Sequence, residues 1–370
     1  MTQTSSQHTQ HYLVLDGLRG VAALLVLVYH LFEAIAFADG REEQDMFHGF
    51  LAVDFFLILS GFVMSYAYDR RWPSMSLASF FRRRLTRLHP MVVAGVVLGI
   101  AVFIGQGCMR WDGTPMSTAT VVVDSLMALL LLPVPQSLDL RGNTELFPLN
   151  GPHWSLFFEY LFNILYALLL RRFSTRALTV WVICVAALLL MFTTHEAQAT
   201  IGFGWSSTPS ILLGGLLRVA FDYPMGLLLA RWFHTHDRRP IHTPWLFPIL
   251  ATVLLLLLSI PSLRLANAYY EMVCIAVAFP IIVWCGARSD TPARKNAAVM
   301  TLFGDISYPL YAIHYPLIYL YIGWINAGVR PFGPYEWCTP VALGLIAVSI
   351  AYLLSRFYDK PLRRWMAQRR

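Results

Sequence analysis

Charge is what this sequence has little of. Only 13% of its 370 residues are charged and 57% are hydrophobic, whereas a typical soluble domain carries about 25% charged residues. So little charge excludes an ordinary water-soluble domain. The apolar residues form runs of about 17 to 25, the length that crosses a hydrocarbon core of roughly 30 Å as a helix. We therefore predict an all-α integral membrane protein, a polytopic bundle of about ten transmembrane helices.

Metal-binding spacing, repeats and low-complexity tracts are also missing. The five cysteines have no close spacing of the kind that binds zinc, so neither a metal site nor a disulfide framework is expected. The loops are too short to hold a second folded domain. We predict a single membrane domain over 1–370, with a short cytoplasmic tail at 1–11 and a basic cytoplasmic tail at 358–370. The first apolar run is too long for a signal-peptide core, so we expect it to stay in the mature protein.

Ten apolar runs are predicted to span the membrane. They are 12–37, 47–69, 89–107, 153–170, 177–194, 209–230, 244–261, 268–286, 299–323 and 339–357. An eleventh run, 119–133, is shorter and ends in two prolines, so it could cross the membrane or lie at its surface. It belongs to the longest outer connection, 108–152, which we expect to form a lid.

The positions of lysine and arginine decide between these topologies. If 119–133 does not cross, the segments on the side of Met1 hold 21 Lys or Arg and the opposite segments hold five. Such an excess marks the cytoplasmic side, so we predict both termini in the cytoplasm. The expected location is a bacterial inner (cytoplasmic) membrane. Topology and anionic lipid headgroups then explain the net charge of +7. The bilayer is the expected partner, and no nucleic acid is.

Ionisable residues inside apolar runs are costly and usually mark a site or a pathway. Ten of them stand out: Asp16, Arg19, His30, Asp54, Glu159, Arg218, Asp222, Glu271, Asp305 and His314. The i, i+4 spacing of Arg218 and Asp222 predicts an internal ion pair.

Arg19 and His30 lie in the first run, eleven residues apart. At about 100° per residue, this spacing returns to nearly the same helix face after three turns, roughly 16 Å along the axis. We predict that both side chains line one groove, Arg19 toward the cytoplasm and His30 in the outer half. A guanidinium suits phosphate or a carbonyl oxygen, and an imidazole suits proton transfer near neutral pH.

Three further residues are predicted to reach the level of His30, from their depth along their own runs. They are Asp54, Glu159 and His314. A carboxylate beside an imidazole orients the ring and raises its basicity, as in a general-base pair. Structural roles remain open as alternatives: an intramembrane histidine can bond a backbone group, and the basic run at 82–87 can act as a topology signal alone.

Five segments, in order along nearly the whole chain, resemble the signatures of the membrane-bound acyltransferase-3 family. They are LDGLRGVAALLVLVYH with Arg19 and His30; DFFLILSGFVMS with Asp54 and Ser60; FFRRRLTRLHP with Arg84 and Arg87; HWSLFFEYLFN with Trp154, Ser155 and Glu159; and ISYPLYAIHYPLIY with Tyr308, Tyr311 and His314. Two departures stand out. Many members have paired acidic residues where this chain reads LFFEYLFN, and no soluble hydrolase-like domain follows.

The resemblance implies an O-acyltransferase that takes an acyl group from cytoplasmic acyl-coenzyme A and esterifies an extracytoplasmic carbohydrate. Acetyl-coenzyme A is the expected co-substrate, and no permanently bound cofactor is expected. The resemblance also implies that His30 is catalytic, and our hypothesis is that Glu159 or Asp54 orients it. The expected donor-binding residues are Arg19, Arg84, Arg87 and Ser60. The expected acceptor-binding or supporting residues are Tyr308, Tyr311, His314, Trp154 and Ser155.

Other functions remain open from the residues alone. Buried charges and proline-broken spans also suit a transporter or flippase of an envelope glycan precursor, although no inverted repeat is present. A structural subunit of an envelope polysaccharide machine is a further alternative. Within the enzyme class, the acceptor could be a lipid-linked sugar or a small molecule. Partners from a glycan assembly machinery are expected to handle the acceptor.

Overall fold

The computed structural model describes residues 12–38, 46–195, 199–235, 239–289, 294–333 and 335–368. These residues form α-helices joined by loops and contain no β-sheet. The helices are α1 (Leu13–Ala38), α2 (Ala52–Tyr68), α3 (Leu77–Gly105), α4 (Thr118–Leu129), α5 (His153–Leu168), α6 (Thr175–His195), α7 (Pro209–Thr235), α8 (Leu246–Ser259), α9 (Asn267–Val273), α10 (Phe279–Ala287), α11 (Arg294–Asn326), α12 (Cys338–Leu354) and α13 (Lys360–Gln368). The predicted all-α fold is confirmed, and the predicted tail at 1–11 lies outside the described residues.

Within the described part of the chain, seven helical segments are long and apolar enough to cross a membrane. They are Leu13–Phe37, His48–Tyr68, Leu77–Gly105, Thr175–His195, Pro209–Thr235, Arg264–Ala287 and Cys338–Gln368. The predicted runs 153–170, 244–261 and 299–323 also form helices, namely α5, α8 and α11. They do not meet the same criterion of length and composition, so the number ten stays a prediction.

The doubtful run 119–133 forms only the short helix α4. Its 12 residues are roughly 18 Å long, well below the roughly 30 Å of a hydrocarbon core. Ser117 begins the helix by accepting a hydrogen bond from the backbone N–H of Thr120 at 3.1 Å. A regular helix of this length does not cross the membrane, which agrees with the topology chosen from the charges.

Two pairs of packed helices position the interior side chains. The helix α1 packs along α11, and α2 packs along α7. Glycine allows the second pair to approach closely: a Cβ on Gly61 would lie 2.1 Å from the carbonyl oxygen of Tyr223, and one on Gly226 would lie 1.9 Å from that of Ile58. Small residues let helix backbones meet in this way in membranes. The close approach brings Asp54 of α2 within bonding distance of Arg218 of α7.

Proline in α11 leaves a backbone carbonyl group that accepts a hydrogen bond from the loop before α5. Pro316 has no N–H, so the carbonyl oxygen of Ala312, four residues earlier, lacks its helical partner. The side chain of Asn150 donates a hydrogen bond to that oxygen at 2.7 Å. The loop that precedes α5 is thereby fixed to the middle of α11.

The end of the chain returns to the bundle. The helix α12 continues through a π-helical turn, Ser355–Asp359, into α13. Lys360 forms an ion pair with Asp305 of α11, and α13 packs against α3. The predicted basic tail is therefore helical through residue 368 and contacts the helices that carry the interior charges.

Candidate active site

Two chambers lie inside the bundle, one on either side of Tyr311. The arginine chamber has a volume of about 270 Å³, and its polar lining includes Asp16, Arg19, Ser60, Arg84, Arg87, Ser155, Glu159, Asp305, Tyr308, Tyr311 and Arg363. The histidine chamber has a volume of about 520 Å³, and its polar and aromatic lining includes His30, Glu33, Trp111, Asn143, Glu145, Trp154, Trp205, Arg218, Tyr311, Tyr315 and Tyr319. Arg19 and His30, predicted to line one groove, are thus divided between two chambers.

The two chambers meet at Val53 and Tyr311, which line both. The Tyr311 hydroxyl is 2.6 Å from the hydroxyl of Ser155 and donates to the carbonyl oxygen of Pro152 at 3.3 Å. These contacts hold the Tyr311 ring between the chambers. A thin molecule that extended from one chamber to the other would pass this ring.

His30 is bonded to a carboxylate on its own helix. Its Nδ1 lies 2.8 Å from Glu33 Oε2, and the Tyr315 hydroxyl donates to the same oxygen at 3.3 Å. With Glu33 accepting, Nδ1 carries the proton and Nε2 keeps its lone pair. This is the arrangement of a general base. The sequence prediction that Glu159 or Asp54 orients His30 is wrong, because Glu33 occupies that position and the other two carboxylates bond elsewhere.

His314 lies against His30, as its depth along the ninth run predicts. The two rings are nearly parallel, with centroids 5.2 Å apart. The Nδ1–H of His314 donates hydrogen bonds to the carbonyl oxygens of Leu310 and Tyr311, at 3.1 and 2.9 Å. His314 is 1% exposed and supports the His30 ring from behind.

Glu159 lies in the arginine chamber, away from His30. Its Oε1 accepts hydrogen bonds from Arg84 at 2.8 Å and from the Ser60 hydroxyl at 2.6 Å. A predicted catalytic residue is thus joined to two predicted donor-binding residues. These contacts hold the Arg84 guanidinium in a fixed direction. Such an arrangement is suited to binding a ligand and not to transferring a proton.

Arg87 and Arg19 provide the less restrained charges of the arginine chamber. Arg19 forms a long ion pair with Asp16, at 3.6 Å. Arg87 forms no hydrogen bond or ion pair with any residue that the structure describes, although it lies within electrostatic range of three arginines and one carboxylate: Arg19, Arg84, Arg363 and Glu159. Guanidinium groups gathered in this way are suited to a ligand with several negative charges.

Asp54 is committed to a buried ion pair. Both of its carboxylate oxygens accept hydrogen bonds from Arg218, each at 2.6 Å. Arg218 also donates to the carbonyl oxygens of Phe203 and Phe50, at 3.1 and 3.2 Å, and Asp54 is fully buried. The predicted Arg218–Asp222 pair is therefore wrong: α2 lies closer to the guanidinium, and its aspartate takes the place of the i+4 partner. Asp54 stabilises the wall of the histidine chamber and does not face His30.

The residues expected to handle the acceptor are divided between the chambers. Trp154 lines the histidine chamber, whereas Ser155 and Tyr308 line the arginine chamber. The Tyr308 hydroxyl donates to the carbonyl oxygen of Leu88 at 2.6 Å, which fixes α11 to α3. Tyr308 thus lies on the side opposite to the one expected for an acceptor residue.

The connection 108–152, predicted to form a lid, contributes residues to the lining of the histidine chamber. Glu145 of this loop accepts a hydrogen bond from the hydroxyl of Tyr319 in α11, and burial raises the pKa of Glu145 to about 8. Nearby, the guanidinium of Arg141 lies over the rings of Trp111 and Tyr319, 4.6 and 4.3 Å from their centroids. Burial lowers the pKa of Arg141. Cation–π contacts of this kind keep the loop against the bundle.

Two site residues were missed in the sequence. Glu33 lies within the first predicted span, and its i, i+3 spacing from His30 is a signal that could have found it, because such residues share a helix face. Arg363 lies in the predicted tail, and no local pattern indicates that it lines a chamber. Among the described residues, no group of histidine, cysteine, aspartate or glutamate is placed to hold a metal ion.

Comparison with known proteins shows the family to which this chain belongs. The family model described as an acyltransferase domain, of the acyltransferase-3 type, matches residues 12–356. Protein 2 in picA locus of Rhizobium radiobacter is 34% identical over 206 residues, which cover 52% of this chain and 99% of that protein. Acyltransferase MdmB of Streptomyces mycarofaciens is 26% identical over 391 residues, covering 96% of this chain and 92% of that protein.

A third relative is larger than this chain. O-acetyltransferase OatA of Staphylococcus aureus is 25% identical over 372 residues, covering 95% of this chain but 57% of OatA. The similarity to OatA is therefore confined to a little more than half of that protein. No solved structure matches the chain.

Proposed function

Because this chain belongs to the acyltransferase-3 family, we propose that it moves an acyl group, in the first instance acetyl, from acyl-coenzyme A to a hydroxyl of an extracytoplasmic carbohydrate. That it is an acyltransferase follows from the family. The donor, the acceptor and the roles of individual residues are our proposal. One observation carries it: a chamber lined by four arginines and a chamber containing a histidine–carboxylate pair meet at a single tyrosine.

The arginine chamber is the proposed donor site. Coenzyme A carries phosphates at one end and a thioester at the other, joined by a long thin arm. Arg87 and Arg84 would bind the phosphates through charge-assisted hydrogen bonds, with Glu159 and Ser60 keeping the Arg84 guanidinium in place. The arm would extend past Tyr311 and bring the thioester carbonyl into the histidine chamber.

The histidine chamber is the proposed site of transfer. The acceptor hydroxyl gives its proton to His30 Nε2 while its oxygen attacks the thioester carbonyl carbon. The carbon–sulfur bond then breaks, and the departing thiolate takes the proton from the imidazolium. Glu33 holds the ring in the required tautomer and stabilises its positive charge. An acyl-His30 intermediate is the alternative, and rapid-quench trapping of acylated protein distinguishes it from direct transfer.

The aromatic lining of the histidine chamber supports a carbohydrate acceptor. Trp111, Trp154 and Trp205 present flat apolar faces, and Asn143 and Glu145 present polar groups. A sugar ring has apolar C–H faces and a rim of hydroxyls, so it suits this mixed surface. A lipid-linked sugar or a small hydroxylated molecule remains the alternative acceptor.

The charges of the chain support an orientation for this chemistry. With 21 of its Lys and Arg residues on the side of Met1, we place both termini in the cytoplasm and the chain in the inner membrane of a bacterium. The arginine chamber, near the start of α1, then opens toward cytoplasmic acyl-coenzyme A. His30 then faces the outer side, where the acceptor arrives.

Mass spectrometry of envelope glycans from cells with and without this protein tests the function. We expect an acetyl ester on a glycan only where the protein is present. Purified protein in vesicles should also release free coenzyme A from acetyl-coenzyme A when that glycan is added. Movement of a glycan precursor across the vesicle membrane without release of coenzyme A would instead indicate a flippase and contradict the proposal.

A further inference from the structure

The C-terminal helix brings an arginine into the arginine chamber. Arg363 lies on α13 and lines this chamber together with Arg19, Arg84 and Arg87. The π-helical turn Ser355–Asp359 precedes α13. Turns of this type insert an extra residue, change the direction in which later side chains point and are frequent at functional sites.

Two ion pairs form at the start of α13, one local and one to α11. Asp359, whose side chain is fully buried, pairs with Arg363 one turn later. Lys360 pairs with Asp305 of α11, which itself lines the chamber. Asp359 binds one edge of the planar guanidinium, and a guanidinium has further N–H donors that remain for a ligand. Arg363 is therefore positioned by its own helix and retains hydrogen-bonding capacity toward the chamber.

The arginine chamber brings four positively charged side chains close together. Four guanidinium groups around one cavity repel one another, and Arg363 lies within electrostatic range of Arg19. The carboxylates Asp16, Glu159 and Asp359 each neutralise one of them, while Arg87 has no such partner in the described part of the chain. A polyphosphate ligand would remove the remaining repulsion and use the free donors.

We propose that Arg363 binds a phosphate of the donor nucleotide, so that the C-terminal helix forms one wall of the donor site. The inference rests on the proposed function, since it requires coenzyme A as the donor. It assigns a binding residue to a segment that the sequence presents only as a basic tail. Loss of α13 would then weaken donor binding without touching the His30–Glu33 pair.

The neighbouring residue Arg364 provides a matched control. It has the same side chain on the same helix, but it is exposed and does not line the chamber. Any effect of lost positive charge on membrane insertion is shared by Arg363→Ala and Arg364→Ala. A difference between the two variants therefore reports on the chamber.

Calorimetry of the purified full chain with acetyl-coenzyme A tests the proposal, with S-acetylpantetheine as a probe that lacks the nucleotide. We expect Arg363→Ala to weaken acetyl-coenzyme A binding about 10-fold, the usual order for one charged contact, and to leave S-acetylpantetheine binding unchanged. Arg364→Ala should match the wild type with both probes, and Arg363→Lys should recover part of the loss. In transfer assays, the KM for donor should rise while kcat stays the same.

Two results would overturn the assignment. Wild-type affinity of Arg363→Ala for acetyl-coenzyme A would show that Arg363 does not contact the phosphates. An equal loss of affinity for both probes would show that it supports the chamber structurally. If the wild type itself bound no acetyl-coenzyme A, the donor in the proposed function would fail as well, and this outcome is distinguishable because it does not depend on Arg363.

Discussion

The two chambers differ in how their charges are neutralised. In the arginine chamber, carboxylates restrain three guanidinium groups, and Arg87 is left without such a partner among the described residues. In the histidine chamber, the reactive candidate is one imidazole bonded to one carboxylate, within largely aromatic walls. The first arrangement suits the binding of a large anion, and the second suits the movement of a proton.

We therefore expect substitutions to separate donor binding from the transfer chemistry. Changes in the arginine chamber should alter donor affinity and leave the rate of the bound complex nearly unchanged. Changes in the histidine chamber should lower the rate of the bound complex and leave donor affinity nearly unchanged. Residues that only support the walls should alter the stability of the fold.

The largest effect is expected for His30→Ala. Loss of the base should reduce acyl transfer roughly 10³-fold, within the range for general-base catalysis, while acetyl-coenzyme A binding stays normal. Transfer of labelled acetyl to the glycan fraction of membranes measures the first quantity, and calorimetry measures the second. The control is His195→Ala, which changes an exposed histidine at the end of α6. Undiminished transfer by correctly inserted His30→Ala protein would remove His30 from the mechanism.

Asp54→Ala should chiefly destabilise the fold. It leaves Arg218 buried without its two-hydrogen-bond partner, and removal of one member of a buried ion pair typically costs roughly 3–5 kcal/mol. We expect a large drop in melting temperature and little loss of activity per folded molecule. The double variant Asp54→Leu, Arg218→Met should recover much of the stability. A folded Asp54→Ala protein that was as inactive as His30→Ala would return Asp54 to the catalytic set.

Asp54 also shows which parts of the site could be predicted from the sequence. The positions of the helices could be predicted, because runs of apolar residues reflect the thickness of a bilayer. The depth of a residue along its run also brought His314 correctly to His30. Depth does not say toward which neighbour a helix face points: Asp54 is bonded to Arg218, and Glu159 lies in the arginine chamber bonded to Arg84, away from His30.

Residues distant in sequence were the hardest to place. Arg363 reaches the arginine chamber only because α12, a π-helical turn and α13 return the chain to α3 and α11, and no local pattern reports such a long-range contact. Glu33 is different, because its spacing from His30 was visible in the sequence. In place of the single groove predicted from Arg19 and His30, the structure has two chambers that meet at the Tyr311 ring, a division that helical spacing does not report.

Glu33→Gln should cause the next largest loss of acyl transfer. Glutamine keeps the shape of the side chain but removes the charge that stabilises the imidazolium, so we expect kcat to fall on the order of 10²-fold. Donor affinity should not change. Steady-state transfer assays measure both parameters, and Glu336→Gln, at a position whose side chain is 60% exposed, is the control. A rise in KM with unchanged kcat would mean that Glu33 contributes to binding instead.

Arg87→Ala should have a smaller effect, and it should change donor affinity instead of kcat. Removal of the unpaired guanidinium is expected to weaken acetyl-coenzyme A binding about 10-fold, close to 1.4 kcal/mol. High salt should reduce the difference, since part of the attraction is electrostatic. The control is Arg83→Ala, an exposed position on the same helix outside the chamber. Equal affinities for wild type and Arg87→Ala would place the phosphates elsewhere.

Tyr311→Phe should have the smallest effect, because it preserves the ring between the chambers and removes only the hydroxyl bonded to Ser155. One hydrogen bond of this kind is worth about 1 kcal/mol, so transfer should fall by a few-fold at most. Tyr311→Ala removes the ring itself and should let water reach the thioester, so that coenzyme A is released without acceptor. Assays of coenzyme A release without glycan compare the two variants. If Tyr311→Ala released no more coenzyme A than Tyr311→Phe, the ring would not separate the chambers, and the division between binding and chemistry would need another boundary.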